Sequence, residues 1–454
     1  MASSRKSPKN STLLARVSAA LERHVGRGDR LVVGLSGGVD SVVLLDLLRR
    51  AARKLHFELA ALHVNHQINP AAREWARFCR ALCRRHHIPL SVRTVEVPRG
   101  NSLEAAARTA RYKEYATARC HAVVLAHNLD DQAETVLLQL LRGAGVKGAS
   151  AMPEFRERAA GNARGKTLPS ILRPLLEVPR SEIEAYARAR KLAWVEDDSN
   201  RDTAFDRNFM RHTVLPLIAQ RYPAYRQTLL RASRNFAEAS QLADACAAAD
   251  AGEGEATLDI RRLQGLPLPR VKNALRHFLG RRGVVMPNAR RLEECARQVM
   301  HARPGARLAL RLGEYELRCH ADALHVVQAV APPSRAFEKK WRGEKQWRLP
   351  EFGGVLVLTR RRGKGIGADK LAADEVTVRG RRGGERLRPD AARPRRTLKN
   401  LLQERRMPEW QRQRLPLLYV GDALAYVAGI GIDANFQAAP DESGLVPEWQ
   451  FDTR

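Results

Sequence analysis

Ser36-Gly37-Gly38-Val39-Asp40-Ser41 gathers two glycines, two hydroxyls and a carboxylate in one short run. Glycines let a backbone turn tightly and bring amide N–H groups against a phosphate. The apolar run Leu31-Val32-Val33-Gly34-Leu35 precedes the loop and a helical pattern follows it. The helix N-terminus then adds partial positive charge, and the serines add donors. No Lys follows the glycines, which sets the loop apart from the common Walker loop. Asp40 puts a carboxylate beside the phosphates, a repulsion that a divalent cation relieves, so Mg²⁺ is expected at Asp40.

Asp130, Asp131 and Glu134 crowd three carboxylates into little more than one helical turn. Each like-charge pair costs roughly 0.7 kcal/mol in water and about 3 kcal/mol at a protein-like dielectric. On an open surface such a turn is tolerable and is favoured by the helix dipole; in a cleft it calls for a cation. Asn101 is placed to cap a helix whose third position is Glu104, and Arg108 and Arg111 then project from neighbouring faces of that helix. His63-Val64-Asn65-His66 ends an apolar run and has spacing that a metal would accept. Cys79 and Cys83 lie one helical turn apart with no third ligand in view, which favours packing.

These groups need elements to position them. Leu31–Leu35, Leu59–Val64, Leu90–Val97 and Ala122–Ala126 read as buried strands. Helical spacing at about 40–54, 71–87, 102–119 and 129–142 separates them. Alternating strands and helices predict an α/β parallel sheet covered on both faces, with ligands at the carboxyl ends of the strands. All the polar clusters fall at those ends. Helical spacing dominates from 222 to 250 and from 268 to 301, with short strands near 306–328. After Ala331-Pro332-Pro333-Ser334 come β-like pieces at 354–359 and 376–379, a helix near 397–406 and strands near 416–432, a small α+β domain.

Seventy-nine Lys and Arg stand against forty-nine Asp and Glu, a formal net charge of +30. Such an excess points to a polyanionic partner. It is concentrated between Arg360 and Arg414, where eighteen basic residues face seven acidic ones. No apolar run approaches the ~20 residues of a membrane span, so no membrane is expected. The six scattered cysteines form no Cys-x-x-Cys pair, which fits reduced thiols in the cytoplasm.

The loop resembles the signature of the N-type ATP pyrophosphatases, the PP-loop superfamily, whose members cleave ATP between the α- and β-phosphates and adenylate an oxygen. Three further segments look like tRNA(Ile)-lysidine synthetase: Asn101-Ser102-Leu103-Glu104 running to Arg111-Tyr112; Ala126-His127-Asn128-Leu129-Asp130-Asp131-Gln132-Ala133-Glu134; and Asp198-Ser199-Asn200 followed by Arg207-Asn208 and Arg211. Arg396-Thr397-Leu398-Lys399 and Arg414-Leu415-Pro416 extend the likeness. After His66 the family pattern Gly-Leu-Arg is replaced by Gln67-Ile68-Asn69.

The resemblance implies an adenine nucleotide α-hydrolase-like PP-loop catalytic domain at 1–215 and a mostly helical tRNA-binding domain at 216–330. A linker with β segments at 331–370 and a basic α+β tRNA-recognition domain at 371–454 would follow. It implies ligation of lysine to C2 of the wobble cytidine in a CAU-anticodon isoleucine tRNA, through an adenylated cytidine. ATP would bind at Ser36, Gly37, Gly38, Val39, Asp40, Ser41, His63, Asn65 and His127, with the strand end at 63–66 meeting adenine through its backbone. Asp40, Arg108, Arg111 and Arg207 would be catalytic. Asp130, Asp131 and Glu134 would meet lysine, with Mg²⁺ the other candidate cation there. Arg393, Arg395, Arg396, Lys399 and Arg414 would grip tRNA. The chain would be a monomer or homodimer. A tRNA thiolase on the same ATP domain is disfavoured by the missing cysteine pair, and an amidotransferase-type synthetase of small metabolites would not need the charge. A non-catalytic RNA-binding protein would not need an intact Asp40 beside an acidic turn.

Overall fold

The computed structural model describes residues 12–97, 103–157, 168–197, 202–252, 256–303 and 305–451. Asn101, Ser102 and the Asp198-Ser199-Asn200 segment lie outside the described residues. The chain divides into two compact units, Met1–Ala243 and Asp244–Arg454.

The first unit runs α1 (Leu13–Glu22), β1 (Arg30–Gly34), α2 (Val39–Leu55), β2 (Glu58–Asn65), α3 (Ala72–Arg85), β3 (Leu90–Thr94), α4 (Leu103–Ala116), β4 (Ala122–Val124), α5 (Leu129–Leu141) and α6 (Val146–Ala149). It continues through β5 (Phe155–Arg156), β6 (Ser170–Leu172), α7 (Arg180–Ala189), α8 (Asp206–Phe209), a π-helix at Met210–Val214, α9 (Leu215–Arg221) and α10 (Tyr225–Ala251), whose last turns belong to the second unit. The strand order is β3-β2-β1-β4-β6-β5. Pairing is parallel throughout except for β5 against β6. Strand order reverses between β1 and β4, the crevice where sheets of this kind hold ligands.

Both faces of the sheet are covered, as continuous apolar strands require. Leu31 and Val33 pack with α1, α2 and α7 residues on one face. Val32, Val123 and Leu125 pack with Tyr115 of α4 on the other. Gly34 permits that close approach, because a Cβ there would sit 2.7 Å from the Tyr115 hydroxyl. The four expected strands are present, but β3 and β4 stop earlier than their apolar runs. The two- and three-residue strands β5 and β6 are too short to show any periodicity.

The second unit contains β7 (Leu258–Asp259), α11 (Ile260–Gln264), α12 (Leu268–Arg281), α13 (Ala289–Met300), β8 (Ala309–Leu312), β9 (Tyr315–His320) and β10 (Ala323–Gln328). The helical spacing read as one stretch from 268 to 301 is two helices. Gly283 at φ +68 ends the first, and the Asn288 side chain caps the second by accepting from the Arg291 N–H at 2.8 Å. The helices pack on the sheet β7-β10-β9-β8 around Leu275, Leu279, Leu292 and Leu317.

The basic C-terminal part is an α+β assembly. It comprises β11 (Glu338–Lys340), β12 (Gln346–Leu349), β13 (Gly354–Arg362), β14 (Ile366–Gly367), α14 (Ala368–Ala372), β15 (Val376–Arg379), β16 (Arg386–Leu387) and β17 (Arg396–Thr397). It ends with α15 (Leu398–Glu404), α16 (Glu409–Arg412), β18 (Leu417–Val420), β19 (Ala423–Val427), β20 (Gly431–Ile432) and β21 (Ser443–Phe451). Two antiparallel sheets, β11-β15-β18-β19-β20 and β12-β13-β21-β14, share one core around Phe352, Leu398, Leu417 and Val427.

Candidate active site

The phosphate loop leaves β1 at the sheet's switch point. Gly37 has φ +98, and a Cβ there would lie 2.9 Å from Val195 Cγ2, so both backbone and space demand glycine. The serines hold the loop's shape. Ser41 Oγ donates to the Gly38 carbonyl at 2.9 Å and accepts from the Gly37 N–H at 3.1 Å. Ser36 Oγ accepts from the Gly38 N–H at 3.3 Å. Gly38 caps α2 without a side-chain bond, leaving the first-turn N–H groups of α2 to a ligand.

Asp40 sits in that first turn. Asn128 Nδ2 donates to its Oδ1 at 3.1 Å, and Arg180 lies 3.9 Å from Oδ2. Burial pushes the Asp40 carboxyl up to about 6, against Arg180 and with help from Asp131. A cation beside it would favour the ionised form, and a carboxylate oxygen is a ligand that Mg²⁺ accepts.

Asn128 also opens α5. It forms a reciprocal capping box with Asp131: Asn128 N–H to Asp131 Oδ2 and Asp131 N–H to Asn128 Oδ1, both 3.0 Å. Asp131 Oδ1 accepts from Arg207 at 3.1 Å and from Arg211 at 3.0 Å. Glu134, wholly buried, accepts from Arg207 Nε at 2.7 Å and Arg211 Nε at 2.6 Å. Asp130 accepts from the Arg180 N–H at 2.9 Å and from Arg226 Nε at 2.5 Å. The cations that the acidic turn demands are therefore supplied by arginines of this chain. Burial raises the Asp131 carboxyl, but the Arg207 and Arg211 guanidiniums outweigh it and hold the group below its ordinary value.

The strand-end residues point inward. His63 Nδ1 donates to the Leu35 carbonyl at 2.8 Å, with Cys79 Sγ 3.6 Å away, and burial lowers its pKa. Asn65 Oδ1 accepts from the Gln67 N–H at 2.9 Å, fixing a turn in which Gln67 has φ +55. Asn69, in the segment that departs from the family pattern, donates to Asp197 Oδ1 at 3.1 Å. Cys79 and Cys83 are buried free thiols. Among the described residues no group of three or more His, Cys, Asp or Glu side chains is placed to hold a metal.

On α4, Arg108 lies over the Tyr112 ring at 5.0 Å, and Arg111 Nε donates to His66 Nε2 at 3.3 Å. Burial and then Arg111 push His66 down to about 4. His127 follows β4 and is pushed down to about 3, chiefly by burial. Arg173, Arg180 and Arg226 were not singled out in the sequence. Arg173 directly follows the apolar run of β6 and precedes Pro174, the signal by which it was findable; Arg180 and Arg226 open helices in an Arg-rich chain and carry no such mark.

The C-terminal arginines are placed differently from one another. Arg393 lies 3.4 Å from Asp390, Arg395 lies 3.9 Å from Asp433, and Arg396 makes a two-pronged pair with Glu404. Lys399 is exposed on α15. Arg414 turns back to the end of β10, donating to the carbonyls of Gln328 and Val330.

A PP-loop domain family model matches residues 10–218, a TilS substrate binding domain model matches 258–325 and a TilS substrate C-terminal domain model matches 376–449. A protein named tRNA(Ile)-lysidine synthase from Nitrosomonas europaea is 45% identical over 433 residues, covering 94% of this chain and 93% of its own. The chain belongs to the tRNA(Ile)-lysidine synthase family. Members from an Azoarcus species, at 41% identity over 94% of this chain and 92% of their own, and from Coxiella burnetii, at 36% over 92% of each, agree. As a PP-loop member of the tRNA(Ile)-lysidine synthase family, the chain is an ATP-using enzyme. No helix among the described residues is long and apolar enough to cross a membrane.

Proposed function

We propose that this enzyme ligates lysine to C2 of the wobble cytidine in the CAU anticodon of an isoleucine tRNA. ATP is consumed and AMP and pyrophosphate are released, and the codon read changes from AUG to AUA. The observation that carries this reading is the joining of the phosphate loop to the acidic turn through Asn128, which bonds Asp40 and caps α5 at once.

ATP lies along the loop with its phosphates at the N-terminus of α2, where unpaired N–H groups and the helix dipole favour negative charge. Asp40 would hold Mg²⁺ here, and the ion would supply charge neutralisation beside the phosphates. Arg108 and Arg111 stabilise charge developing at the α-phosphate as the cytidine C2 oxygen attacks it and pyrophosphate departs. The lysine amine then attacks C2 and AMP leaves. Asp131 and Glu134 beside Arg207 and Arg211 form a cradle of both signs, suited to a molecule that carries ammonium and carboxylate groups. Asp130 extends its acidic side, and Arg207 is the arginine of this cradle assigned a catalytic contact. Holding three substrates in one cleft supplies much of the rate. The basic second unit, with Arg393, Arg395, Arg396 and Lys399, binds tRNA phosphates.

The test is AMP release from purified protein with ATP and transcribed isoleucine tRNA, with and without lysine. Lysine-dependent AMP release supports the reading. AMP formation indifferent to lysine defeats it.

A further inference from the structure

Arg173 is only 3% exposed, an unusual place for a guanidinium. All its bonds go to the rim at the carboxyl ends of the strands. It donates to the Pro153 carbonyl at 2.8 Å, to the Tyr112 hydroxyl at 3.4 Å and, through Nε, to His127 Nδ1 at 3.2 Å. A guanidinium has donors and no acceptor. The Nδ1 atom it meets must therefore present a lone pair, and the single proton of a neutral His127 is confined to Nε2. A second proton on Nδ1 would point at a cation.

His127 belongs to the cleft. It adjoins Asn128, the residue bonded to Asp40, and it feels Asp131, Arg173, Arg207 and Arg108, the charged groups that flank it. The ring is half-buried, and no described group takes up Nε2. The fixed N–H thus remains for a ligand.

We propose that Arg173 is a positioning residue that holds His127 as a neutral Nε2–H donor to an oxygen of the bound nucleotide's phosphate chain. The proposal rests on the adenylation reading of the site. His127 does not shuttle a proton in this arrangement; it donates one preset hydrogen bond, and Arg173 sets the tautomer without touching the nucleotide.

Two experiments test it. The first is ¹⁵N NMR of the full-length, histidine-labelled protein without ligand, with the His127 signal identified by its loss in His127→Gln. The expected spectrum shows Nε2 protonated and Nδ1 bare from pH 6 to 8, with that preference weakened in Arg173→Met. A protonated Nδ1 in the wild type overturns the proposal. The second compares single-turnover AMP formation in two variants. The Gln amide nitrogen takes the place of Nε2, whereas that of Asn takes the place of Nδ1. His127→Gln should stay within about tenfold of wild type, and His127→Asn should fall by about 10²–10³, the usual effect of losing one preorganised donor. Equal losses overturn the proposal. Because the spectrum needs no substrate, a wild type lacking lysine-dependent AMP release would sink the function while leaving the tautomer to be judged separately. The wild-type spectrum also serves if Arg173→Met does not fold.

Discussion

Asn128 Nδ2 reaches Oδ1 of Asp40 at 3.1 Å, tying the first turn of the phosphate-loop helix to the cap of the acidic-turn helix. One small amide thus spans the switch point of the sheet. Asn128→Ala is expected to lose the cap, a cost of about 1 kcal/mol, and to lower the melting temperature by roughly 2–4 °C for a unit of this size. The KM for ATP should rise as Asp40 loses its partner. Unchanged melting together with unchanged KM would show that the tie has no consequence.

Asp40 governs a pH dependence. Burial holds its pKa at about 6, above the ordinary 3.8, with Asp131 adding repulsion and Arg180, Asn128 and Arg211 pulling it back. A carboxyl with a raised folded pKa keeps its proton more tightly in the folded chain. It supports the fold fully below about pH 4 and loses that contribution as pH rises through about 6. Ligand-free Asp40→Asn is therefore expected to melt above the wild type near pH 7.5, with the gap closing below pH 4. The ceiling is about 3 kcal/mol at 1.36 kcal/mol per pKa unit. Pyrophosphate release by the same variant should vanish, and retained turnover at saturating Mg²⁺ would contradict the role given to Asp40.

Gly37 leaves no room for substitution. Gly37→Ala places a Cβ against Val195 in a left-handed backbone, at a cost of about 1–3 kcal/mol. Thermal melts should show that loss, and ATP should protect the variant less than it protects the wild type. A variant as stable and as well protected as the wild type would mean that the loop relaxes at no cost.

Glu134 is the buried end of the two-sign cradle. Glu134→Ala leaves Arg207 and Arg211 short of a partner, and breaking a buried pair costs about 3–5 kcal/mol. Among molecules that remain folded, the KM for lysine should rise more than the KM for ATP. Equal rises would remove the lysine assignment and leave a purely structural ion-pair network.

Arg414 and Lys399 should part company in the second unit. Arg414→Ala removes the bonds to Gln328 and Val330 and is expected to lower stability with little change in the salt dependence of tRNA binding. Lys399→Ala should leave melting unchanged and reduce the slope of log affinity against log salt by about one. Melting and slope changing together in both variants would erase the distinction.

The parallel sheet and its phosphate loop were legible because Leu31–Leu35 and Ser36–Ser41 carry their chemistry in consecutive residues. The acidic turn was legible for the same reason. Its partners were not all legible. Arg207 and Arg211 lie more than seventy positions downstream of Glu134, and local spacing says nothing of a contact made by the returning chain. Arg173 was marked only by its place between the short apolar run of β6 and Pro174. Arg414 looked like the other basic residues of an Arg-rich segment, and only its backbone partners separate it from them.

Asp131 spends one oxygen on the cap of α5 and the other on two arginines. Under the proposed lysine assignment, recognition and folding share a single carboxylate. Any drift toward a different amino-acid substrate at this position would also fray a helix, so selection for new specificity must find its route elsewhere in the cleft. Position 131 should stay aspartate even in libraries screened only for soluble protein.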